Sequence, residues 1–222
     1  MPTTSLRSPV LWAFVPYLLI SIVHVAALAI RSDLAGPTKL SLMPLLALPI
    51  LISARLRPPL AIALLLAAVV LSWLGDGAGA FFPAGPELPL MLLFFGLAHI
   101  AYMVVFLRVL RIRRFPRWAF VYAAWWAVML AVLGPHTGGL FFAVAVYGLV
   151  LSGTAALSTR CHPVVAVGGI LFLTSDTILA YRIFLPDAMP FWTSPAVMLT
   201  YTLGQGLIIA GALITLRSRR EE

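Results

Sequence analysis

Two aspartates inside apolar runs are the residues of this chain best suited to chemistry. Asp176 lies within the run 168–180, and Asp76 closes the run 69–76. A carboxylate at the centre of a membrane-spanning helix costs about 2.5 to 3.5 kcal/mol on insertion scales, so it persists where it has a partner or a function. The sequence therefore predicts that Asp76 and Asp176 mark a functional site.

The two aspartates are a candidate general acid and general base. When their surroundings differ, one carboxyl group can stay neutral and donate a proton while the other stays ionised. The ionised member can then act as a base or stabilise a developing cation. The alternative interpretation is structural: Asp76 ends its helix near water, and Asp176 pairs with Lys39 or with a histidine. Because intramembrane acids are functional by default, we favour the catalytic interpretation for both.

Other polar side chains in apolar runs are candidates for binding a substrate. His99 shares one helix face with Phe95 and Tyr102, and it either contacts an aspartate or the substrate or is a buried structural histidine. Lys39, the only lysine, opens the second apolar segment. We expect it to pair with an aspartate, to hold a phosphate, or to extend toward the membrane interface. His24 stands alone on the first segment, where a structural role is favoured.

Metal and serine chemistry fit the sequence less well. His136 and His162 fall in loops on opposite sides of the membrane, so they cannot share one metal ion. His24 and His99 lack the paired spacing that zinc-binding helices often show. The Gly-x-Ser-x-Gly motif of many serine hydrolases does not occur in the chain. We therefore expect neither a metal site nor a cofactor.

The composition indicates a membrane protein. Of the 222 residues, 62% are hydrophobic and 10% are charged, whereas soluble domains are about half apolar. Apolar segments joined by short connections predict an all-α bundle of about eight transmembrane helices in a single domain, residues 1–222. The second segment contains two prolines and is the least regular. The segments are 10–30, 40–54, 60–76, 89–107, 118–134, 139–158, 163–184 and 195–216.

The basic residues predict the orientation of the bundle. With a cytoplasmic N-terminus, twelve of the fifteen fall on the cytoplasmic side and three, Arg31, Lys39 and Arg182, on the other. This asymmetry follows the positive-inside rule, so we expect both termini in the cytoplasm. The cluster 108–117 is interpreted as an interfacial anchor, not a nucleic-acid site. The twelve are Arg7, Arg55, Arg57, Arg108, Arg111, Arg113, Arg114, Arg117, Arg160, Arg217, Arg219 and Arg220.

The candidate residues fall at similar depths. At ~1.5 Å of rise per helical residue, Asp176 lies about 20 Å and Asp76 about 24 Å from the cytoplasmic side. Counted from the outer side, His99 and Gln205 each lie about 15 Å deep. Lys39 lies at the outer rim. Polar groups from several helices therefore share the level between the midplane and the outer interface, which predicts one shared cavity.

The chain resembles the YhhN family of bacterial and animal multi-pass membrane proteins, which includes the lysoplasmalogenases. The resemblance covers nearly the whole chain. In one difference, the family usually follows its lysine directly with proline, whereas here Leu40 comes next and the proline is Pro44. The residues that carry the resemblance are Lys39, Ser72 with Gly75 and Asp76, Gly96 with His99 and Tyr102, Phe172 with Ser175 and Asp176, Phe184, and Tyr201 with Gln205.

This resemblance implies hydrolysis of the vinyl ether bond of a lysoplasmalogen, which gives a fatty aldehyde and a glycerophospho-ethanolamine or -choline. It implies that no metal or organic cofactor is required, and that the partners are a lysophospholipid and the lipid bilayer. The implied catalytic residues are Asp76 and Asp176. The implied substrate-binding residues are Lys39, His99, Tyr102, Ser175, Tyr201 and Gln205.

An alternative function uses the same acids without hydrolysis. In a proton-coupled transporter of a small molecule or lipid, intramembrane acids relay protons. Fourteen of the fifteen basic residues are arginine, which is typical of a GC-rich bacterial genome. For either function we expect a multi-pass protein of the bacterial cell membrane.

Overall fold

The computed structural model describes residues 8–56 and 58–221, and it contains nine α-helices and no strand over this part of the chain. Arg7 and Arg57, two residues counted on the cytoplasmic side, lie outside the described residues. The helices are α1 (Ser8–Ala29), α2 (Ala35–Ile52), α3 (Pro59–Asp76), α4 (Ala78–Phe81), α5 (Glu87–Val105), α6 (Val121–Leu133), α7 (Phe141–Ser158), α8 (Pro163–Phe184) and α9 (Thr193–Glu221).

Eight helical segments are long and apolar enough to cross a membrane, which confirms the predicted all-α, multi-span bundle. They are rich in leucine, alanine and valine and carry few charges, as a hydrocarbon core of about 30 Å requires. The spans are Pro9–Ala29, Ala35–Ile52, Pro59–Asp76, Glu87–Leu110, Arg117–His136, Gly138–Ser158, Pro163–Phe184 and Thr193–Arg219.

The second span begins earlier than predicted. The helix starts at Ala35 instead of residue 40. Pro37 lies in its first turn, where a missing backbone N–H removes no helical hydrogen bond. Two further prolines lie inside the helix without ending it, as membrane helices tolerate when neighbours satisfy the freed backbone groups. Lys39 therefore stands in the second turn of α2, not at its opening.

α9 lies at the centre of the bundle. It packs along α8, also contacts α1 and α2, and has the largest buried share among the eight spans, 61%. α3 packs against α2 and α5, and α5 packs against α7. α6 is peripheral, since only 17% of its span is buried. The helices that carry the candidate residues thus surround one interior.

α8 and α9 approach each other closely at two glycines. A Cβ atom on Gly168 would lie 2.8 Å from the carbonyl oxygen of Gly204, and one on Gly204 would lie 2.8 Å from the backbone nitrogen of Phe172. Any larger side chain would push the two backbones apart. Small residues at helix interfaces permit such close packing. This seam sets the position of Asp176 on α8 relative to Tyr201 on α9.

Arginine-rich segments meet at one end of the bundle, which we call the arginine end. Arg113 donates hydrogen bonds to the carbonyl oxygens of Thr159 and Cys161, at 2.7 and 3.2 Å. Arg219 donates to the carbonyl oxygen of Arg111 at 3.0 Å. The loop after α5, the loop before α8 and the end of α9 therefore lie together. That this end faces the cytoplasm remains a prediction.

The opposite end holds two of the three remaining basic residues. The Arg182 guanidinium donates to the Thr193 hydroxyl at 2.5 Å. The Arg31 guanidinium lies over the ring of Phe191, 3.9 Å from its centroid. These contacts connect the loop after α1 and the end of α8 to the loop before α9.

Candidate functional site

A cavity of ≈ 130 Å³ lies among α2, α3, α5, α7, α8 and α9, and we call it the acid cavity. Five of the eight predicted site residues line it, and all but one of the other lining side chains are hydrocarbon or aromatic without a polar group. The five are Lys39, Asp76, Ser175, Asp176 and Tyr201. The others are Leu88, Met91, Leu92, Phe95, Val144, Tyr147, Leu179, Ala180, Ile183, Phe184, Val197 and Met198.

The acid cavity extends toward the end of the bundle opposite the arginine end. Leu88 lies in the first turn of α5, and Phe184 is the last residue of α8. Both residues line the cavity. Asp176 lies eight residues before the end of α8, and Asp76 is the last residue of α3. If the arginine end is cytoplasmic, the cavity belongs to the outer half of the membrane.

Asp76 has a cation and a hydroxyl as partners. Its Oδ1 atom lies 3.7 Å from the Lys39 ammonium nitrogen, and its Oδ2 atom accepts a hydrogen bond from the Tyr201 hydroxyl at 2.7 Å. The Asp76 side chain is 4% exposed and that of Lys39 is 37% exposed. The ammonium group thus compensates a buried carboxylate while remaining accessible itself. The predicted pairing of Lys39 with an aspartate is present here.

One turn away from this pair, a second hydrogen bond joins α3 to α9. The Gln205 side-chain amide donates to the Ser72 hydroxyl at 3.0 Å, and the Gln205 carbonyl oxygen accepts from the Tyr102 hydroxyl at 2.5 Å. All three side chains are fully buried. Tyr102 and Gln205, predicted to bind the substrate, do not line the cavity but lie behind its wall. Because every polar group in lipid needs an internal partner, they bind each other and hold α3 on α9.

Among the described residues, no lysine or arginine pairs with Asp176. Its Oδ2 atom accepts a hydrogen bond from the Tyr147 hydroxyl of α7 and lies 3.9 Å from Nε2 of His99. The Asp176 side chain is 9% exposed. The second acid is therefore almost as buried as the first, but its surroundings are hydroxyl, imidazole and hydrocarbon.

His99 lies behind the cavity wall and does not line it, although the sequence predicted that it would. Its ring is 1% exposed and packs against Phe172, with ring centroids 4.7 Å apart, and against Tyr147, at 5.8 Å. Neither ring nitrogen has a hydrogen-bond partner among the described residues. A nitrogen 3.9 Å from a carboxylate is too far for a hydrogen bond. His99 thus lies next to Asp176 without forming a hydrogen bond to it.

Ser175 lines the cavity, but its hydroxyl is directed to a neighbouring helix. It donates to the carbonyl oxygen of Val197 at 3.0 Å, which lies in α9. This bond strengthens the α8–α9 seam next to Asp176. The predicted substrate-binding role of Ser175 stays a prediction.

His24 has the structural contact that the sequence favoured. Its Nδ1 atom lies 2.9 Å from the Thr38 hydroxyl, which donates to the carbonyl oxygen of Leu34 at 2.5 Å. Because the hydroxyl proton is used there, His24 donates to Thr38 through Nδ1. Among the described residues, no three His, Cys, Asp or Glu side chains are grouped so that they could hold a metal ion.

The residue that sequence reasoning missed is Tyr147. It is the hydroxyl donor to Asp176 and also lines the acid cavity. A signal for it existed in the sequence: a phenolic hydroxyl in the middle of the apolar run 138–158 needs a hydrogen-bond partner inside the protein. Nothing in the spacing of the chain indicates which acid that partner is.

The arrangement separates two carboxyl groups by their charge partners. Lys39 stabilises a negative charge on Asp76, whereas a negative charge on Asp176 has no permanent cation nearby and is costly in a low dielectric. Such a pair can offer one carboxylate and one carboxylic acid to the same small space.

Comparison with known proteins matches residues 34–212 to the model of the YhhN family. The matched region begins just before α2 and ends in α9, so it contains every residue that lines the acid cavity. No curated protein and no solved structure matches the chain.

Proposed function

Because the chain belongs to the YhhN family, we propose that it hydrolyses the vinyl ether bond of lysoplasmalogens. These single-chain lipids would be cleaved to a fatty aldehyde and a glycerophospho-ethanolamine or -choline. The observation that carries the proposal is that Asp76 and Asp176 line one narrow, largely apolar cavity, one with a cation partner and one without. Vinyl ether hydrolysis needs an acid and a base of that kind.

Asp176 is assigned the role of general acid. A vinyl ether is cleaved after its β-carbon takes up a proton, which leaves an oxocarbenium ion. A carboxylic acid delivers that proton, and Asp176 is assigned this role because, among the described residues, no lysine or arginine lies within ion-pair distance of its carboxyl group. Its Oδ2 atom accepts from Tyr147, so Oδ1 remains to carry the proton.

Asp76 is assigned the role of carboxylate. With Lys39 3.7 Å away, its negative charge is supported before substrate binds. It stabilises the oxocarbenium ion and then takes a proton from the water molecule that attacks it. Two carboxyl groups divide the work in the same way around the oxocarbenium-like transition state of glycosidases. The product of this stage is a hemiacetal, and the two acids have exchanged their protonation states.

Collapse of the hemiacetal restores both acids. Asp76, now protonated, gives its proton to the departing glycerol oxygen. Asp176, now a carboxylate, takes the proton of the hemiacetal hydroxyl as the carbonyl bond of the aldehyde forms. The cycle therefore closes with Asp176 protonated and Asp76 ionised, and the net reaction consumes one water molecule.

The remaining wall supports a lipid substrate. Leucine, methionine, valine and phenylalanine side chains line most of the acid cavity, and such a surface accepts the hydrocarbon next to the vinyl ether. Lys39, which is 37% exposed, is the one cation at the cavity and is suited to the phosphate of the headgroup. We propose that the protein works in the cell membrane, where both lysolipid and bilayer are available.

Aldehyde release tests the proposal. Purified protein in phosphatidylcholine nanodiscs is incubated with lysoplasmalogen, and the fatty aldehyde is trapped and measured by mass spectrometry. The matched control is the saturated alkyl ether analogue, which has no double bond to protonate. Aldehyde from the first lipid alone supports the hydrolase. Absence of aldehyde together with proton-dependent lipid or solute flux in vesicles would instead favour transport.

A further inference from the structure

A second depression lies on the lipid-facing side of α5 and α7. It has a volume of ≈ 460 Å³, and every side chain that lines it is apolar except Tyr147. We call it the α5–α7 groove. Three of its lining side chains, Leu93, Phe142 and Val146, are 53%, 79% and 63% exposed. In a membrane-spanning protein such surfaces face lipid chains, so the groove opens sideways into the hydrocarbon.

Gly96 of α5 lines the groove and, having no side chain, leaves its space open. A Cβ atom on Gly96 would meet nothing closer than the ring of Tyr147, at 3.9 Å. Gly96 is therefore not required for close backbone packing, unlike Gly168 in the α8–α9 seam. The space that a side chain would fill at this position is left to the groove.

The groove and the acid cavity share a wall. Leu92 of α5 and Tyr147 of α7 line both spaces. Tyr147 also donates the hydrogen bond to Asp176. Leu92 and Tyr147 thus lie between the groove and the acid cavity, and the groove runs beside the carboxyl group that would protonate a substrate.

We propose that the α5–α7 groove holds the hydrocarbon chain of the substrate while the vinyl ether and glycerol occupy the acid cavity. This inference rests on the proposed hydrolase function and adds a chain-binding site to it. Lipid tails are as apolar as the groove, so the hydrophobic effect does not drive binding. Binding is driven instead by van der Waals packing of the chain against the groove. This packing also determines which carbon of the chain lies beside Asp176.

The chain would enter between Leu92 and Tyr147. An acid cavity of ≈ 130 Å³ has room for the reactive bond but not for a second hydrocarbon chain.

Filling the groove tests the inference. Ala143 is exposed and lines the groove, so Ala143→Phe blocks it from the lipid side. Ala127 of α6 is also exposed but lines neither the groove nor the acid cavity, and Ala127→Phe is the matched control. The ratio of activity on a long-chain alkenyl lysolipid to that on its butenyl analogue should fall about tenfold in Ala143→Phe, the scale of a misfit in an apolar pocket. The control should keep the wild-type ratio.

A milder variant and a binding experiment keep the test informative if Ala143→Phe does not fold or if no hydrolysis is seen. If Ala143→Phe does not fold, Ala143→Leu should give a smaller change in the same direction. Binding without hydrolysis is read with a saturated alkyl ether lysolipid carrying a diazirine at its chain end, photolysed in phosphatidylcholine nanodiscs. Labelled peptides should come from the groove faces of α5 and α7, and labelling should decrease in Ala143→Phe only.

The outcomes separate the groove from the reaction. Aldehyde release with an unchanged chain-length ratio and labels elsewhere would overturn the chain site and leave the hydrolase intact. Groove labelling without aldehyde would support the site and contradict the reaction. Equal groove labelling by a two-chain phosphatidylcholine probe would reduce the groove to an ordinary contact with bilayer lipid and overturn the inference.

Discussion

Two halves of the bundle each carry one acid, and they surround it with different contact residues. In the half formed by α2, α3 and α9, Asp76 meets the Lys39 ammonium and the Tyr201 hydroxyl. In the half formed by α5, α7 and α8, Asp176 meets one hydroxyl and an imidazole that does not hydrogen-bond to it. Both side chains are nearly buried, 4% and 9% exposed.

The comparison teaches that burial alone does not assign roles to these acids. Two carboxyl groups of equal burial would be expected to behave alike. The difference lies in the charge that each neighbour brings, since an ammonium supports a carboxylate and a hydroxyl serves either protonation state. The roles of the two acids can therefore be tested by removing the contact residues of each acid in turn and comparing the losses of activity.

Removing either acid should have the largest effect. Asp76→Asn and Asp176→Asn should each lower vinyl ether hydrolysis by at least about a hundredfold, the scale of general acid–base catalysis. Because both act in one transition state, the double variant should lose little more than the worse single one. Aldehyde release is the measurement, and near-wild-type thermal midpoints should show that folding survives. Full activity in both single variants would refute the dyad.

Separating the halves should destabilise the protein. Gly168→Ala places a methyl group 2.8 Å from the Gly204 carbonyl, and overpacking of this kind costs about 1 to 3 kcal/mol. Thermal unfolding in detergent micelles measures the loss. Gly36→Ala is the matched control, since nothing lies within 4 Å of its added Cβ. Equal midpoints for the two variants would mean that the seam can widen without cost.

Removing the cation should affect only the Asp76 half. Lys39→Met should lower hydrolysis about tenfold, a modest value because the ammonium is partly exposed and screened. Lys39→Arg keeps the charge and should recover most of the activity. If Lys39→Met and Lys39→Arg behave alike, charge is not what the lysine supplies.

Removing the hydroxyl donors should affect the two halves unequally. Tyr147→Phe deletes the hydrogen bond to Asp176 and should cost about tenfold in rate, whereas Tyr201→Phe should cost about threefold because Lys39 still supports Asp76. The ratio of the two losses, measured by aldehyde release, sharpens the comparison. A larger loss for Tyr201→Phe would reverse the assignment of the halves.

Cysteine labelling tests which leaflet the acid cavity serves. A thiol at Ala84→Cys should react with an impermeant maleimide from outside, and one at Arg220→Cys should not. The native thiol should stay silent at pH 8, because burial raises the pKa of Cys161 to about 12 and leaves almost no thiolate. External labelling at Arg220→Cys would contradict the predicted cytoplasmic C-terminus.

Much of the fold was predictable because apolar runs interrupted by short loops leave few alternatives to spanning helices. The start of α2 was placed too late, since Pro37 looks like a helix breaker but is harmless in a first turn. Pairing with an aspartate was one of three expectations for Lys39, and the structure pairs it with Asp76 instead of Asp176.

The site was predicted less completely. Depth along each helix follows from counting residues, but the direction of a side chain around the helix axis depends on packing. His99, Tyr102 and Gln205 all lie behind the cavity wall: Tyr102 and Gln205 hydrogen-bond to each other, and His99 packs against Phe172 and Tyr147. Tyr147 was missed because the sequence around a lone tyrosine in an apolar run does not indicate which residue its hydroxyl binds.

The order of synthesis gives the pairing of each acid a further meaning. A growing chain enters the membrane N-terminus first. Lys39 is made before Asp76, and Tyr147 before Asp176, whereas Tyr201 follows Asp76 by 125 residues. Each acid therefore reaches the bilayer after one of its partners is already there. The folded contacts of Asp76 with Lys39 and of Asp176 with Tyr147 therefore need no helix that is synthesised later than the acid itself.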